Sequence, residues 1–171
     1  MGQGAGGVGR GHDVSSIVAT VGGLGYLPWA PGTWGSAVGL ILGLLCVRTL
    51  SWSAALIALP LSFVVGALVC THAERALGQH DPPAVILDEV WGMAAVILIF
   101  PWITFSWALL VVAFLLFRAF DIIKPPPVKR LARLQGGWGI MADDAGAAAY
   151  TALVLFVVAW LWVRQFGIIV N

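Results

Sequence analysis

Between Arg118 and Asp144 the chain reads RAFDIIKPPPVKRLARLQGGWGIMADD. This stretch holds five of the nine Lys and Arg residues and three of the eight Asp and Glu residues, and it lies between two long apolar runs. Arg118, Asp121 and Lys124 recur at steps of three, so successive members are neighbours on a helix surface. Two readings are open: a salt-bridged helix end, or a carboxylate metal ligand between two phosphate-binding cations. The pairs Asp88-Glu89 and Asp143-Asp144 stand at the edges of apolar runs, where each pair alone could serve as a helix cap or dipole partner. Their sum is harder to explain that way. Carboxylates gathered on one face repel one another unless cations intervene, and a charge at the edge of an apolar run is expensive and usually functional. Oxygen ligands without a Cys/His cluster suit Mg²⁺, with Mn²⁺ as the alternative. Cations beside such a group suit a phosphate substrate. Asp88, Glu89, Asp121, Asp143 and Asp144 are therefore the candidate metal ligands and catalytic acids, and Arg118 and Lys124 the candidate phosphate binders.

Other polar residues carry weaker signals. His80 stands beside Asp81 in a polar hinge and reads either as an interfacial side chain or as a proton-transfer group. Thr33 and Ser36 close a Gly/Pro-rich loop, GGLGYLPWAPGTWGS. They read as caps of the helix that follows, or as hydroxyls of a phosphate cradle. His12 and His72 read as structural. Cys46 and Cys70 lie inside apolar runs and read as small buried hydrophobes, which leaves no nucleophilic cysteine.

The elements that must position these groups are membrane helices. The 171 residues are 60% hydrophobic and 10% charged, with a mean hydropathy of +0.96. Apolar stretches of about 15–25 residues recur, as in a polytopic helical protein. The fold expected is an all-α membrane bundle of about five transmembrane helices with a short cytoplasmic surface helix. The spans run from about Ser36 to Leu50, Ala54 to Ala73, Ala84 to Phe100, Thr104 to Phe117 (helical on to Ile123) and Ala142 to Val163. Pro60 falls near the start of the second. Val14 to Thr20 reads as a short helix, Pro31-Gly32 as a tight turn, Gly136-Gly137 and Gly139 as a loop, and Val128 to Leu134 as a basic surface helix. Residues 1–13 read as a flexible glycine-rich tail rather than a signal peptide, and 14–171 as a single membrane-embedded domain.

Five spans put the segment before the first, the hinge after the second and the charged island after the fourth on one side. Arg10, Arg75, Arg118, Lys124, Lys129, Arg130 and Arg133 fall there, against Arg48 and Arg164 opposite. That bias places the shared side in the cytoplasm. All eight acidic residues fall on the same side. The tryptophans read as interface anchors, and nothing points to nucleic acid.

Four blocks in this order and spacing carry a resemblance. They are GYLP through APGTWGS (Gly25 to Ser36), DPP with VILDEVWG (Asp81 to Gly92), FRAFDI with Lys124-Pro125, and GGWGIMADD (Gly136 to Asp144). Together they resemble the phosphatidylglycerophosphatase A family over nearly the whole chain from Gly22. The resemblance implies a Mg²⁺-dependent, multi-pass lipid phosphatase of the bacterial inner membrane, with its site facing the cytoplasm. Its reaction would remove the terminal phosphate of phosphatidylglycerophosphate, giving phosphatidylglycerol in phospholipid biosynthesis. It carries over Asp88, Glu89, Arg118, Asp121, Lys124, Asp143 and Asp144, with Thr33 and Ser36 less securely. His80 remains a candidate proton donor. No oligomeric state follows.

Two rival classes fit the sequence less well. A divalent-cation carrier needs polar groups through the bilayer or on both sides, and the acids gather on one. A lipid-headgroup phosphotransferase would bring the Asp-rich signature of the CDP-alcohol enzymes, which is missing.

Overall fold

A computed structural model describes residues 13–166. Residues 1–12, the bulk of the expected tail, lie outside the described residues. Every regular element among those described is helical: α1 (Val14–Ala19), α2 (Pro31–Thr49), α3 (Trp52–Leu77), α4 (Leu87–Ile99), α5 (Trp107–Ile123), α6 (Val128–Leu131) and α7 (Gly137–Phe166), with short 3₁₀ turns at Leu24–Tyr26 and Pro101–Phe105.

Helix α4 is the hub. It packs on α2, α3 and α7, and its Met93, Val96 and Ile97 join Phe117 of α5 and Ala147 of α7 in a fully buried apolar cluster. The approach of α2 to α4 depends on absent side chains. Gly35, Gly39 and Gly43 recur every fourth residue and face α4; a Cβ on Gly39 would stand 2.4 Å from the Val90 carbonyl oxygen. Small residues at this spacing let membrane helices touch backbone to backbone. Outward from the core the helices are apolar: Ile41 and Leu45 of α2, Ile57 and Leu61 of α3, Leu115 of α5 and Phe156 of α7 are all exposed. An exposed apolar surface of that extent suits hydrocarbon, not water.

Among the described residues, three helices are long and apolar enough to cross a membrane: Pro31–Thr49, Trp52–Leu77 and Gly137–Gln165. Helix α4 has 13 residues and α5 has 17, or about 20 and 26 Å at 1.5 Å per residue. The five expected spans are therefore matched in length and apolarity by three.

Several expected boundaries move for local reasons. Helix α2 begins at Pro31, not near Ser36, because proline is at home in the first turn, where no N–H partner is needed. The turn expected at Pro31-Gly32 is helix, and the sharp bend sits one residue earlier, at Ala30 (φ 47°). Helix α3 starts at Trp52, capped by Ser51, whose hydroxyl accepts from Ala54 N–H. Pro60 consequently lies inside that helix rather than near its start. Of the expected GGWG loop, Gly136 stands just before α7 in the left-handed region (φ 65°) and Gly137 to Gly139 begin the helix, fixed where Gly137 N–H donates to Thr71 Oγ1 of α3 at 2.9 Å. The basic surface helix is a single turn, Val128–Leu131.

Candidate active site

The polar clusters meet at one end of the bundle. The N-termini of α2, α4 and α7 and the C-terminus of α5 open there onto a cavity of about 360 Å³. Asp88, Glu89, Arg118, Asp121, Lys124, Asp143 and Asp144 all line it, and His80 and Asp81 stand at its hinge side.

Each acid is placed by its helix. Asp88 and Glu89 occupy the first turn of α4, where the helix dipole favours negative charge. Asp143 and Asp144 lie nearly two turns into α7, so neither is an N-cap. Ligand oxygens of Asp88, Glu89 and Asp144 lie within 4.8 Å of one another, and so do those of Asp121, Asp143 and Asp144. Asp144, 2% exposed, belongs to both trios.

The cations are tied to this set. Arg118 Nη1 donates to Asp121 Oδ2 at 2.6 Å and to Ser36 Oγ at 3.3 Å. Lys124 Nζ donates to Asp143 Oδ2. Lys124 can reach it because the chain leaves α5 through a left-handed residue at Lys124 (φ 48°) just before Pro125. Gly32 closes the wall: a Cβ there would meet Glu89 Oε1 at 2.4 Å and the Arg118 guanidinium at 3.0 Å.

Charge does not balance within the cavity. Six carboxylates line the cavity (Asp81, Asp88, Glu89, Asp121, Asp143 and Asp144) against Arg118 and Lys124, an excess of four acids even before His80 is counted. Asp88 Oδ1, Glu89 Oε2, Asp143 Oδ1 and Asp144 Oδ2 are buried without a hydrogen-bond partner. Buried carboxylate oxygens are costly unless paired with positive charge. The residues present thus fit a hard divalent cation, whose preferred ligands are carboxylate oxygens.

The remaining candidates are placed differently. Ser36 is buried within α2, donates to the Gly32 carbonyl at 2.8 Å and receives Arg118. It orients the arginine rather than capping a helix. Thr33 is exposed on α2 and is not among the lining residues. His80 is exposed, with Nδ1 2.5 Å from Glu74 Oε1. That hydrogen bond is the main cause holding its imidazolium pKa above the ordinary value. Sequence reasoning missed this carboxylate and the roles of Gly32 and Ser36; the Gly/Pro-rich wording of the first loop hid a helix start. Cys70 is buried and Cys46 half-buried, and neither lines the cavity.

Fold and cavity together define a class: a membrane-embedded helical protein with a pocket of buried acids beside an arginine and a lysine. The family model described as Phosphatidylglycerophosphatase A matches residues 17–159. A Haemophilus influenzae protein named phosphatidylglycerophosphatase A is 38% identical over 139 residues, covering 81% of this chain and 84% of that one. An Escherichia coli K12 protein of the same name is 30% identical over 141 residues, 82% of this chain and 80% of that one. A Bacteroides thetaiotaomicron protein named "Putative phosphatidylinositol-3-phosphatase" is 32% identical over 150 residues, 85% and 93% of the two chains. No solved structure matches. The chain belongs to the phosphatidylglycerophosphatase A family.

Proposed function

We propose that this protein hydrolyses the terminal phosphate monoester of phosphatidylglycerophosphate, releasing phosphatidylglycerol and phosphate, with Mg²⁺ held by Asp88, Glu89, Asp121, Asp143 and Asp144. The observation that carries this reading is the pair of carboxylate trios sharing Asp144 beside Arg118 and Lys124. When bound, the ion supplies charge neutralisation and polarisation of the phosphoryl group.

The protein's own groups supply positioning, which is most of what phosphoryl transfer needs. Arg118 spends Nη1 on Asp121 and Ser36, and its buried Nε has no protein partner. That N–H is a donor for a phosphate oxygen. Lys124, at the C-terminal end of the same helix, offers its charge to the cavity, steadied by Asp143. The N-terminal end of α2, at Ala30, Pro31 and Gly32, adds a positive dipole. Asp121, held by Arg118, orients the attacking water. His80, whose imidazolium form Glu74 favours, is the donor to the departing glycerol oxygen.

The topology proposed has α4 and α5 crossing with the three longer helices, so that the charged end faces the cytoplasm of a bacterial inner membrane. The seven-to-two distribution of basic residues supports that orientation.

The test is phosphate release by the purified full-length protein. The panel comprises phosphatidylglycerophosphate, phosphatidate and phosphatidylinositol 3-phosphate, each with Mg²⁺ and with excess chelator. Mg²⁺-dependent release that favours phosphatidylglycerophosphate is expected. The Bacteroides relative's name makes phosphatidylinositol 3-phosphate the second reading, and preference for that lipid would replace the first.

A further inference from the structure

A second cavity, of about 350 Å³, lies between α2 and α3. These two helices are consecutive in sequence, yet they touch each other little, and both lean on α4. The result is a trough walled by Leu42 and Cys46 of α2 and Ala58 and Val65 of α3, with Trp91 and Leu98 of α4 as its floor. Its floor is dry by construction. Trp91 Nε1 donates to Ser62 Oγ at 3.0 Å and to the Leu59 carbonyl at 3.3 Å, which occupies the polar atoms near the tryptophan.

We propose that this trough holds one acyl chain of the phospholipid substrate while its headgroup lies in the carboxylate cavity; the claim rests on the phosphatase reading above. Three observations commit it to that occupant. The walls belong to two of the helices long and apolar enough to lie in a bilayer, where lipid chains are the surrounding medium. The floor helix also reaches the headgroup site from its first turn: one face of α4 turns Leu87, Val90 and Trp91 to the trough, and another turns Asp88 and Glu89 to the acidic cavity. The length also matches. Leu87 to Leu98 spans about 16 Å at 1.5 Å per residue, close to half of a hydrocarbon core of roughly 30 Å. A chain anchored at the polar end would fill the trough through one leaflet.

Two variants that narrow the trough from its α3 side, Ala58→Trp and Val65→Phe, test the claim in the purified full-length enzyme. Both positions are outside the acidic cavity, and Val65 is 52% exposed, so a larger side chain has room without repacking the core. The substrates are dioleoyl and dihexanoyl phosphatidylglycerophosphate. The proposal predicts that kcat/KM for the dioleoyl lipid falls about tenfold or more, while the dihexanoyl lipid is turned over as by wild type. Equal losses on both lipids, or no loss on the dioleoyl lipid, would overturn it. Phosphatidylglycerol carrying a mid-chain diazirine gives a binding readout that needs no turnover. Crosslinks at Leu42, Cys46, Ala58 and Val65 that disappear in Ala58→Trp are expected; labelling spread evenly over the outer faces of α5 and α7 would overturn the proposal. A wild-type enzyme inactive on both lipids would sink the phosphatase reading, and the crosslinks would then decide the trough alone.

Discussion

Arg118 Nη1 lies 2.6 Å from Asp121 Oδ2, one turn further along α5. The same nitrogen reaches Ser36 of α2, so one guanidinium fixes a candidate ligand and joins two helices at the mouth of the site. Lysine at this position would keep the charge but lose the planar guanidinium, and with it the buried Nε–H that has no protein partner. Arg118→Lys is expected to lower kcat by about 10²-fold or more while the protein still purifies as a folded species. Wild-type kcat in this variant would remove Arg118 from the phosphate site.

Asp144 is the acid common to both trios, and it is buried among like charges. Asp144→Asn should separate catalysis from stability. Turnover is expected to drop by more than about 100-fold, a loss at least as large as that from disturbing a ligand's support. In excess chelator the variant should melt no lower than wild type, because a neutral amide relieves the repulsion. Paired thermal melts and single-turnover assays check both halves.

The glycine stripe of α2 sets the distance from which α4 presents Asp88 and Glu89. Gly39→Ala would drive a methyl group to 2.4 Å from the Val90 backbone oxygen, a contact only backbone movement can relieve. The expected cost is about 1–3 kcal/mol of stability, read by chemical denaturation in detergent, together with loss of activity because α4 shifts. A fully stable, fully active variant would mean that α2 and α4 do not pack as described.

The hydrogen bond that His80 Nδ1–H donates to Glu74 Oε1 raises the His80 pKa. The sign follows from which form the bond favours. The imidazolium–carboxylate pair is complete below the ordinary histidine value, about 6.5, and is lost as pH rises through the higher folded value. If His80 donates the proton, the alkaline limb of the kcat profile should follow that folded value. Glu74→Gln should move the limb to lower pH, and a titration of the His80 ring by NMR should move with it. An unmoved limb would exclude His80 as the donor.

Much of this arrangement is legible in the sequence because charge is so rare in it. The acids at 88–89, 121 and 143–144 stand out against apolar surroundings, and the distribution of basic residues gathers them on one side before any coordinates exist. What stayed hidden depends on backbone approach. Gly35 reads as part of a Gly/Pro-rich loop, and nothing in the sequence sets Gly39 and Gly43 apart, since only the position of α4 gives their missing side chains meaning. Pro31 reads as a turn until the residue before it is seen in the left-handed region. Helix α4 reads as a full span by hydropathy, yet its 13 residues owe their apolarity to burial among α2, α3 and α7 as much as to lipid. Thr33, one residue from the cavity wall, faces outward, because on a helix neighbouring positions point about 100° apart.

The central claim is that Asp144 joins two groups of carboxylates around divalent metal. Anomalous diffraction from crystals of the full-length protein grown with Mn²⁺ tests it most directly. The account predicts anomalous density against the Asp144 carboxylate, contacted also by oxygens of Asp88 or Glu89 on one side and Asp121 or Asp143 on the other. Mn²⁺ bound elsewhere, with the Asp144 carboxylate free of metal in an enzyme that Mn²⁺ activates, would contradict it.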